Sequence, residues 1–401
     1  MPPTAGLPLG WRDLSAGRTA DFAERVAAFL EVAEVQIECS GTACLIVALS
    51  ALRDSSTRRT VIIPAYTCPL VPLAIANCGL KVKICDLARE HFDMDPRRLA
   101  ALCDSDTLAV MPTHLAGRIA DLEAASMCAQ RVGARVIEDA AQAFAQGKRN
   151  LCASPAADVT FFSLAVGKGL TLYEGGVLYA PDTELRSAMA AASARIIGRH
   201  RFLECRRVVQ LLGYAALYRP LALSFAYGAP LRRAIDRGDL AGAVGDRLPR
   251  RLALHRVGSW RRRVGTRALA RLPEFQQAAI ARANTRVSRL QRVPSLKVFA
   301  DPPGVQGSWP CLLVLMPTQT ARDSALVWLW RAGLGVTRLF VHALEDYPDL
   351  HSIVPQVGAV RARNFASRTL TVTNSPWLTD SQFEHIAAVL AEAAGPACSI
   401  S

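Results

Sequence analysis

The chain has 401 residues, 51% of them hydrophobic and 20% charged, which suits a large globular core divided between a larger and a smaller domain. Its 11 cysteines are scattered singly with no CxxC pair, which argues against a zinc site or a disulfide framework and for a reducing cytoplasm. The formal net charge is +13, but no nucleic-acid fold signature accompanies it, so an arginine-rich surface is preferred over nucleic acid binding. Met1-Pro2-Pro3-Thr4 is not a basic segment leading into an apolar run, and no signal peptide is expected.

Residues 1–17 are rich in proline and glycine and read as an arm. Phe22, Val26, Phe29 and Leu30 recur at helical spacing between Asp21 and Val32. Val35–Cys39 reads as a strand running into Ser40-Gly41-Thr42 and a helix that reaches Leu52. A small polar turn at a helix start offers backbone N–H groups and a favourable dipole to a phosphate. Plain N-capping by Ser40 or Thr42 is the alternative. Val61–Pro64 is a short buried strand, followed by Ala65-Tyr66-Thr67-Cys68-Pro69. Residues 70–79 read as a helix, Lys81–Asp86 as a strand, and Asp93–Leu102 as a helix with Asp95-Pro96 at its start. Leu108–Pro112 is a strand ending at Thr113-His114, and Asp121–Arg131 is a helix stopped by Gly133. This alternation predicts a mostly parallel sheet with helices on both faces. His114, at a strand end, suits proton transfer or substrate contact; a structural histidine bonded to a loop carbonyl is the other reading.

Ala134–Ile137 and Val159–Phe162 are two more buried strands. The first runs into Glu138-Asp139, with Gln142 beyond; the second runs into Ser163, with Lys168 in the following loop. Ligands of open α/β sheets sit just beyond the carboxyl ends of the strands, so a carboxylate, an amide, a hydroxyl and a lysine converge there. A lysine amine condenses with an aldehyde cofactor. Pyridoxal 5'-phosphate (PLP) also needs an acid beside its ring nitrogen and anchors for its phosphate. Asp139 suits the ring nitrogen, Ser163 the phosphate and Lys168 the aldehyde.

Between Arg195 and Arg271 arginines dominate, among them Arg199, Arg201, Arg206, Arg207, Arg232, Arg233, Arg237 and the cluster Arg261-Arg262-Arg263. They flank an apolar stretch, Val208–Pro230, which Arg219-Pro220 interrupts. A membrane span needs about 20 continuous apolar residues, so a simple span is rejected. Two readings remain. One is peripheral contact of 208–230 with an anionic membrane, on the inner face for a cytoplasmic protein. The other is a helical hairpin packed on the core or on a dimer partner. Pro273–Leu290 then reads as a long helix, Leu312–Met316 as a strand and Ala321–Arg331 as a helix. Gly333-Leu334-Gly335-Val336 opens a further strand, Leu370–Thr373 is another, and Thr379 or Asp380 caps a last helix through Leu390.

The segments Ser40-Gly41-Thr42-Ala43, Pro64-Ala65-Tyr66-Thr67, Glu138-Asp139-Ala140-Ala141-Gln142 and Phe162-Ser163, followed by Lys168, stand in a definite order. That order and spacing resemble the DegT/DnrJ/EryC1/StrS family of PLP-dependent (fold type I) sugar aminotransferases. The likeness covers residues 22–195 well and resumes more weakly over 262–395. It implies an α/β fold: a large domain with a mostly parallel seven-stranded sheet flanked by helices, plus a smaller C-terminal α+β domain. On that division 1–195 is the arm and large PLP-binding domain, 196–261 a basic, apolar, mostly helical insertion, and 262–401 the connecting helix and small domain.

The resemblance further implies transfer of an amino group from an amino acid donor, glutamate, to a keto sugar on a nucleotide or similar carrier, through an internal aldimine on Lys168. Gly41, Thr42 and Ser163 would hold the phosphate, Asp139 the ring nitrogen, and Gln142 the ring's hydroxyl side. Tyr66 and His114 are the candidates for substrate contact, and no metal is expected. The family forms homodimers in which a basic residue of the partner completes the phosphate site; Trp260–Arg263 is the candidate segment here. Lysine at 168, where the family's dehydratases carry histidine, disfavours dehydration. Two departures stand out. The position after Thr67 is usually an aromatic that stacks on the ring, and here it is Cys68. Glu174 precedes Gly175-Gly176 where Asp or Gly is common. Cys68 and the unusual middle keep a second reading open, a non-catalytic PLP-binding or membrane-associated relative in polysaccharide biosynthesis.

Overall fold

A computed structural model describes residues 1–15, 17, 20–145, 156–244, 248–249, 251–302 and 304–395. The apolar runs become the strands of one sheet: β1 (Gln36–Glu38), β2 (Thr60–Pro64), β3 (Lys81–Cys85), β4 (Thr107–Val110), β5 (Arg135–Asp139), β6 (Val159–Ser163) and β7 (Gly176–Tyr179). Their order is β1-β7-β6-β5-β4-β2-β3. Strands β3, β2, β4, β5 and β6 run parallel, and β7 is antiparallel to both its neighbours. Every residue of β2, β4 and β6 is buried. That is why these strands read as continuous apolar runs: both faces of a parallel sheet are covered by helices.

The helix boundaries follow local chemistry. The Asp21 carboxylate accepts the N–H groups of Ala23 and Glu24 and starts the helix Phe22–Leu30. Asp95 does the same for the helix Pro96–Leu102. Gly133, at φ 67°, ends the helix Leu122–Val132 in the left-handed region. The helix Gly41–Asp54 is buried on nearly all sides.

The C-terminal part holds a second sheet of β8 (Lys297–Val298), β9 (Cys311–Leu315), β10 (Val336–Thr337) and β11 (Thr369–Thr373), antiparallel throughout in the order β10-β11-β9-β8. The long helix Leu272–Gln291 leads into it, and the helices Gln319–Ala332 and Asp380–Ala394 share its core with Leu312, Val314, Leu370 and Val372. Thr379 and Gln382 form a reciprocal capping box at the last helix. The strand expected after Gly333 shrinks to Val336–Thr337, because Gly333 and Gly335 both have left-handed φ, 68° and 78°. The helix Val360–Arg368 and the short β8 are elements that hydropathy patterning did not reveal.

The arm is packed against the body: Ala5, Leu7 and Leu9 are buried. The arginine-rich middle forms the helices Arg201–Leu217, Pro220–Ala226, Gly228–Asp236, Leu240–Val244 and Ser259–Leu269, the last carrying Arg261-Arg262-Arg263. Leu211 and Tyr214 face the core. No helix among the described residues is long and apolar enough to cross a membrane. No disulfide joins the cysteines among the described residues, while Cys152 and Cys398 lie outside them.

Candidate active site

The carboxyl ends of β2, β4, β5 and β6 meet at one edge of the large sheet, around a pocket of ≈150 Å³. Thr67 and Cys68 enter it after β2, Thr113 and His114 after β4, Asp139 and Gln142 from the end of β5, and Ser163 and Lys168 from the end of β6. Gly41 and Thr42 reach it from the start of the helix that follows β1. The structure thus brings together Gly41, Thr42, His114, Asp139, Gln142, Ser163 and Lys168. Tyr66 is not among the lining residues.

The helix start is prepared for an anion. Ser40 Oγ accepts the Ala43 N–H at 3.0 Å, and its carbonyl accepts that of Cys44. Gly41 and Thr42 occupy the first helical positions, whose N–H groups have no intrahelical acceptor. A Cβ on Gly41 would lie 3.1 Å from Ser163 Cβ, so the glycine lets the helix start press against the end of β6. Gly176 is equally constrained, since a Cβ there would fall 2.5 Å from the Ser40 carbonyl oxygen.

Asp139 is 3% exposed. Burial pushes its pKa up to about 6, against the N–H of Ala141, donated at 3.0 Å, and the charge of Lys168. A buried carboxylate of this kind favours a cationic partner. Lys168 is half-buried and stands between Gly167 and Gly169, at φ 84° and 82°. Left-handed positions on both sides of one residue are built cheaply only by glycine. The Gln142 amide oxygen accepts the Ala116 N–H at 2.8 Å, so the group it can offer a ligand is its NH₂ donor.

His114 is wholly buried. Its Nδ1 accepts the Ala120 N–H at 3.0 Å, so Nε2 carries the proton and donates to Glu138 Oε1 at 2.8 Å. Glu138 also accepts the Thr160 hydroxyl at 2.6 Å. Both ring nitrogens are occupied within the chain, which makes His114 a fixed part of the wall and leaves neither nitrogen to move a proton. The bonding is of the structural kind, to a carboxylate and an amide rather than to a loop carbonyl. Tyr66 points away: its hydroxyl donates to the Phe340 carbonyl and accepts the Phe340 N–H, both at 3.2 Å, and its ring meets Phe340 and Phe365 edge-on. Tyr66 therefore does not supply the aromatic face missing at Cys68. Phe161 and the His114 imidazole are the aromatic groups in the lining.

Glu174 is a wall residue whose surroundings sequence reasoning missed. Burial raises its pKa, and the guanidinium of Arg207, paired with it from the helix Arg201–Leu217, opposes that rise. Behind it, Arg261 is fully buried. Its Nε donates to Glu204 Oε1 at 2.8 Å, a second nitrogen holds the other carboxylate oxygen, and a third donates to the Leu172 carbonyl at 3.1 Å. Arg261 is thus anchored inside its own chain and is not available to complete a partner's site. These partners are 57 residues apart or more, and no local spacing marks them.

A mixed sheet with one reversed strand, a helix start beside the strand ends, and a lysine turn sharing a pocket with a buried aspartate define the class, an α/β protein of fold type I. The chain belongs to the DegT/DnrJ/EryC1/StrS aminotransferase family, whose model matches residues 6–216. It is 34% identical over 141 residues to a pleiotropic regulatory protein of Geobacillus stearothermophilus, a stretch covering 35% of this chain and 37% of that one. It is 35% identical over 144 residues to UDP-2-acetamido-2-deoxy-3-oxo-D-glucuronate aminotransferase of Pseudomonas aeruginosa, covering 35% of this chain and 38% of that one. The chain therefore spans little more than a third of the length of these curated relatives. The crystal structure of S. venezuelae DesV in complex with a ketimine intermediate superposes with a TM-score of 0.69 at 21% identity, over 94% of this chain and 88% of that one, a likeness of fold. The family is PLP-dependent. The donor set fits that cofactor: a buried carboxylate in need of a cation, a helix start and a hydroxyl for an anion, and an amine on a glycine-flanked turn.

Proposed function

We propose that this chain is a PLP-dependent aminotransferase that moves an amino group from an amino acid donor, glutamate first, to a keto sugar on a nucleotide or similar carrier. The observation that carries this reading is the meeting of Lys168, Asp139 and the Gly41–Thr42 helix start in one pocket. The P. aeruginosa relative, named for a UDP-linked 3-oxo sugar acid, supports the substrate class.

PLP, when bound, supplies an electron sink for the charge left by a departing α-proton. The chain's own residues do the rest. Gly41 and Thr42 bind phosphate through backbone N–H groups at the positive end of the helix, and Ser163 adds a hydroxyl. Asp139, costly to ionise while buried and alone, holds a positive ring nitrogen opposite itself. Gln142 orients the ring's hydroxyl side through its NH₂ group. Lys168 Nζ is the amine for the cofactor aldehyde, and once released by the donor it is the base that takes and returns the proton.

The family's habit supports a homodimer, the lack of a disulfide among the described cysteines supports a reducing cytoplasm, and the apolar, arginine-flanked stretch 208–230 supports contact with the inner face of the membrane. Residues 1–195, 196–261 and 262–401 serve as large domain, insertion and small domain. A second reading, a PLP-binding relative without catalysis, is favoured by Cys68 and by the match to a regulatory protein. The visible absorption of the protein with PLP, wild type against Lys168→Ala and then with glutamate added, separates the two. A lysine-dependent band that bleaches with glutamate supports the transferase. A band indifferent to every amino donor supports the second reading, and no band at all removes both.

A further inference from the structure

The helix Arg201–Leu217 is apolar on two opposite faces. Leu211 and Tyr214 are buried in the core on one of them. On the other, Phe202, Cys205, Val209 and Leu212 recur at steps of three and four residues, and all four are exposed, Phe202 at 80%. The following helix, Pro220–Ala226, buries none of its residues and adds Leu221 at 81% and Phe225 at 78%. Of the 14 large exposed apolar side chains in the described chain, seven fall between Phe202 and Tyr227, so they form a patch and not the ordinary scatter. A helix apolar on two opposite faces expects cover on both. Here one side has none from the described residues.

The charge on this patch selects the cover. Arg201, Arg206 and Arg219 are exposed within it, and Arg232, Arg233 and Arg237 are exposed on the next helix. Among the described residues of this segment, Glu204 is engaged by Arg261 and Asp236 by Arg331 at 2.6 Å, and Asp239 accepts the Gly242 N–H. A two-fold contact between copies would set this arginine-rich face against itself. An anionic bilayer surface takes the aromatic and leucine side chains into its interfacial layer and pairs the arginines with phosphates. No helix among the described residues is long and apolar enough to cross it.

We infer that the outer face of the helices Arg201–Leu217 and Pro220–Ala226 docks the enzyme on an anionic membrane surface. This deepens the membrane-side location proposed above and rests on it only for the compartment. The test uses the full chain with PLP in co-sedimentation with vesicles of phosphatidylcholine, with and without phosphatidylglycerol. The protein is expected to sediment with the anionic vesicles alone and to be released by salt. The variant F202S/L221S/F225S should bind roughly tenfold more weakly, and Arg201→Gln with Arg219→Gln should weaken binding without touching the apolar stripe. An unchanged PLP absorption band and unfolding midpoint serve as the check on folding. Wild-type protein that stays in solution with both vesicles overturns the inference, as does binding that neither variant weakens. Loss of self-association in F202S/L221S/F225S, with no vesicle binding by the wild type, also overturns it and makes the face a contact between copies. Lys168-dependent absorption is read separately, so failure of docking and failure of the transferase reading remain distinct.

Discussion

The hydroxyl of Tyr218 donates to the backbone carbonyl of Thr4 and accepts the Gly6 N–H at 3.2 Å, tying the arginine-rich middle to the amino-terminal arm. Tyr214 adds a bond to the Leu7 carbonyl at 2.9 Å. The Leu7 N–H in turn donates to the Gly169 carbonyl, one residue past Lys168. The arm is pressed so closely on this turn that a Cβ on Gly167 would fall 2.6 Å from Thr4 Oγ1. Tyr218→Phe removes the hydroxyl that bonds the Thr4 carbonyl and one of the two acceptors of the Gly6 N–H, the other being the Thr4 carbonyl itself at 2.8 Å, and should cost about 0.5–1.5 kcal/mol. In urea unfolding the midpoint should fall with the slope unchanged, and amide exchange at 167–169 should quicken. Wild-type behaviour in both would mean that the latch does not hold the lysine turn.

Asp139 gives a pH dependence with a definite sign. Its folded pKa of about 6 lies above the ordinary 3.8, so the native state binds the proton more tightly than the unfolded chain. Stability from this group is present at low pH and is lost as pH rises through about 6, amounting to roughly 3 kcal/mol. Asp139→Asn should therefore raise the melting temperature of the cofactor-free protein near pH ~8 and leave it unchanged near pH ~4. Equal melting at both would show that the carboxylate is already compensated.

Glu204 behaves in the opposite sense. Burial pushes its carboxyl upward, but the hydrogen bonds from Arg261 and His255 and the Arg261 charge outweigh it and hold the pKa at about 2. That stability is present above the ordinary 4.5 and is lost as pH falls towards 2. Arg261→Met removes the guanidinium from Glu204, leaving it His255, and strips the Leu172 and Glu174 carbonyls of that donor, and should cost about 3 kcal/mol. Adding Glu204→Met should recover part of the loss. Simple additivity of the two substitutions in a double-mutant cycle would deny the coupling.

Gly41→Ala tests the phosphate cradle without attacking the fold. Alanine is the better helix former, but its methyl would stand 3.1 Å from Ser163 Cβ, at the mouth of the cradle. PLP affinity, titrated by absorbance, should drop roughly tenfold, about 1.4 kcal/mol, with the melting temperature of the cofactor-free protein maintained. Undiminished affinity would place the phosphate elsewhere.

The large sheet and its polar edge were legible because a buried parallel strand is a continuous apolar run whose end carries the ligand-facing residues. Val61–Pro64 and Val159–Phe162 show this plainly. The fastening of Tyr66 was not legible, since adjacency to Thr67 says nothing of direction, and successive residues of an extended segment point opposite ways. Ala5, Leu7 and Leu9, at alternate positions in a proline- and glycine-rich arm, carried a period-two signal that composition concealed. The stretch 208–230 was ambiguous for a different reason: an apolar run reads the same whether its chain covers it or leaves it bare.

Tyr66 holds Phe340 by both its N–H and its carbonyl, and the Leu344 N–H reaches back to the Ala65 carbonyl at 2.8 Å. The next two residues, Thr67 and Cys68, are the wall of the pocket. The segment that follows β10 is therefore moored to the binding wall itself. Coupling of this kind is reciprocal: whatever a ligand gains by drawing the wall inward, the carboxyl-terminal part gains in holding fast. A filled pocket should accordingly shield residues 336–368 from proteases that cut the empty protein there.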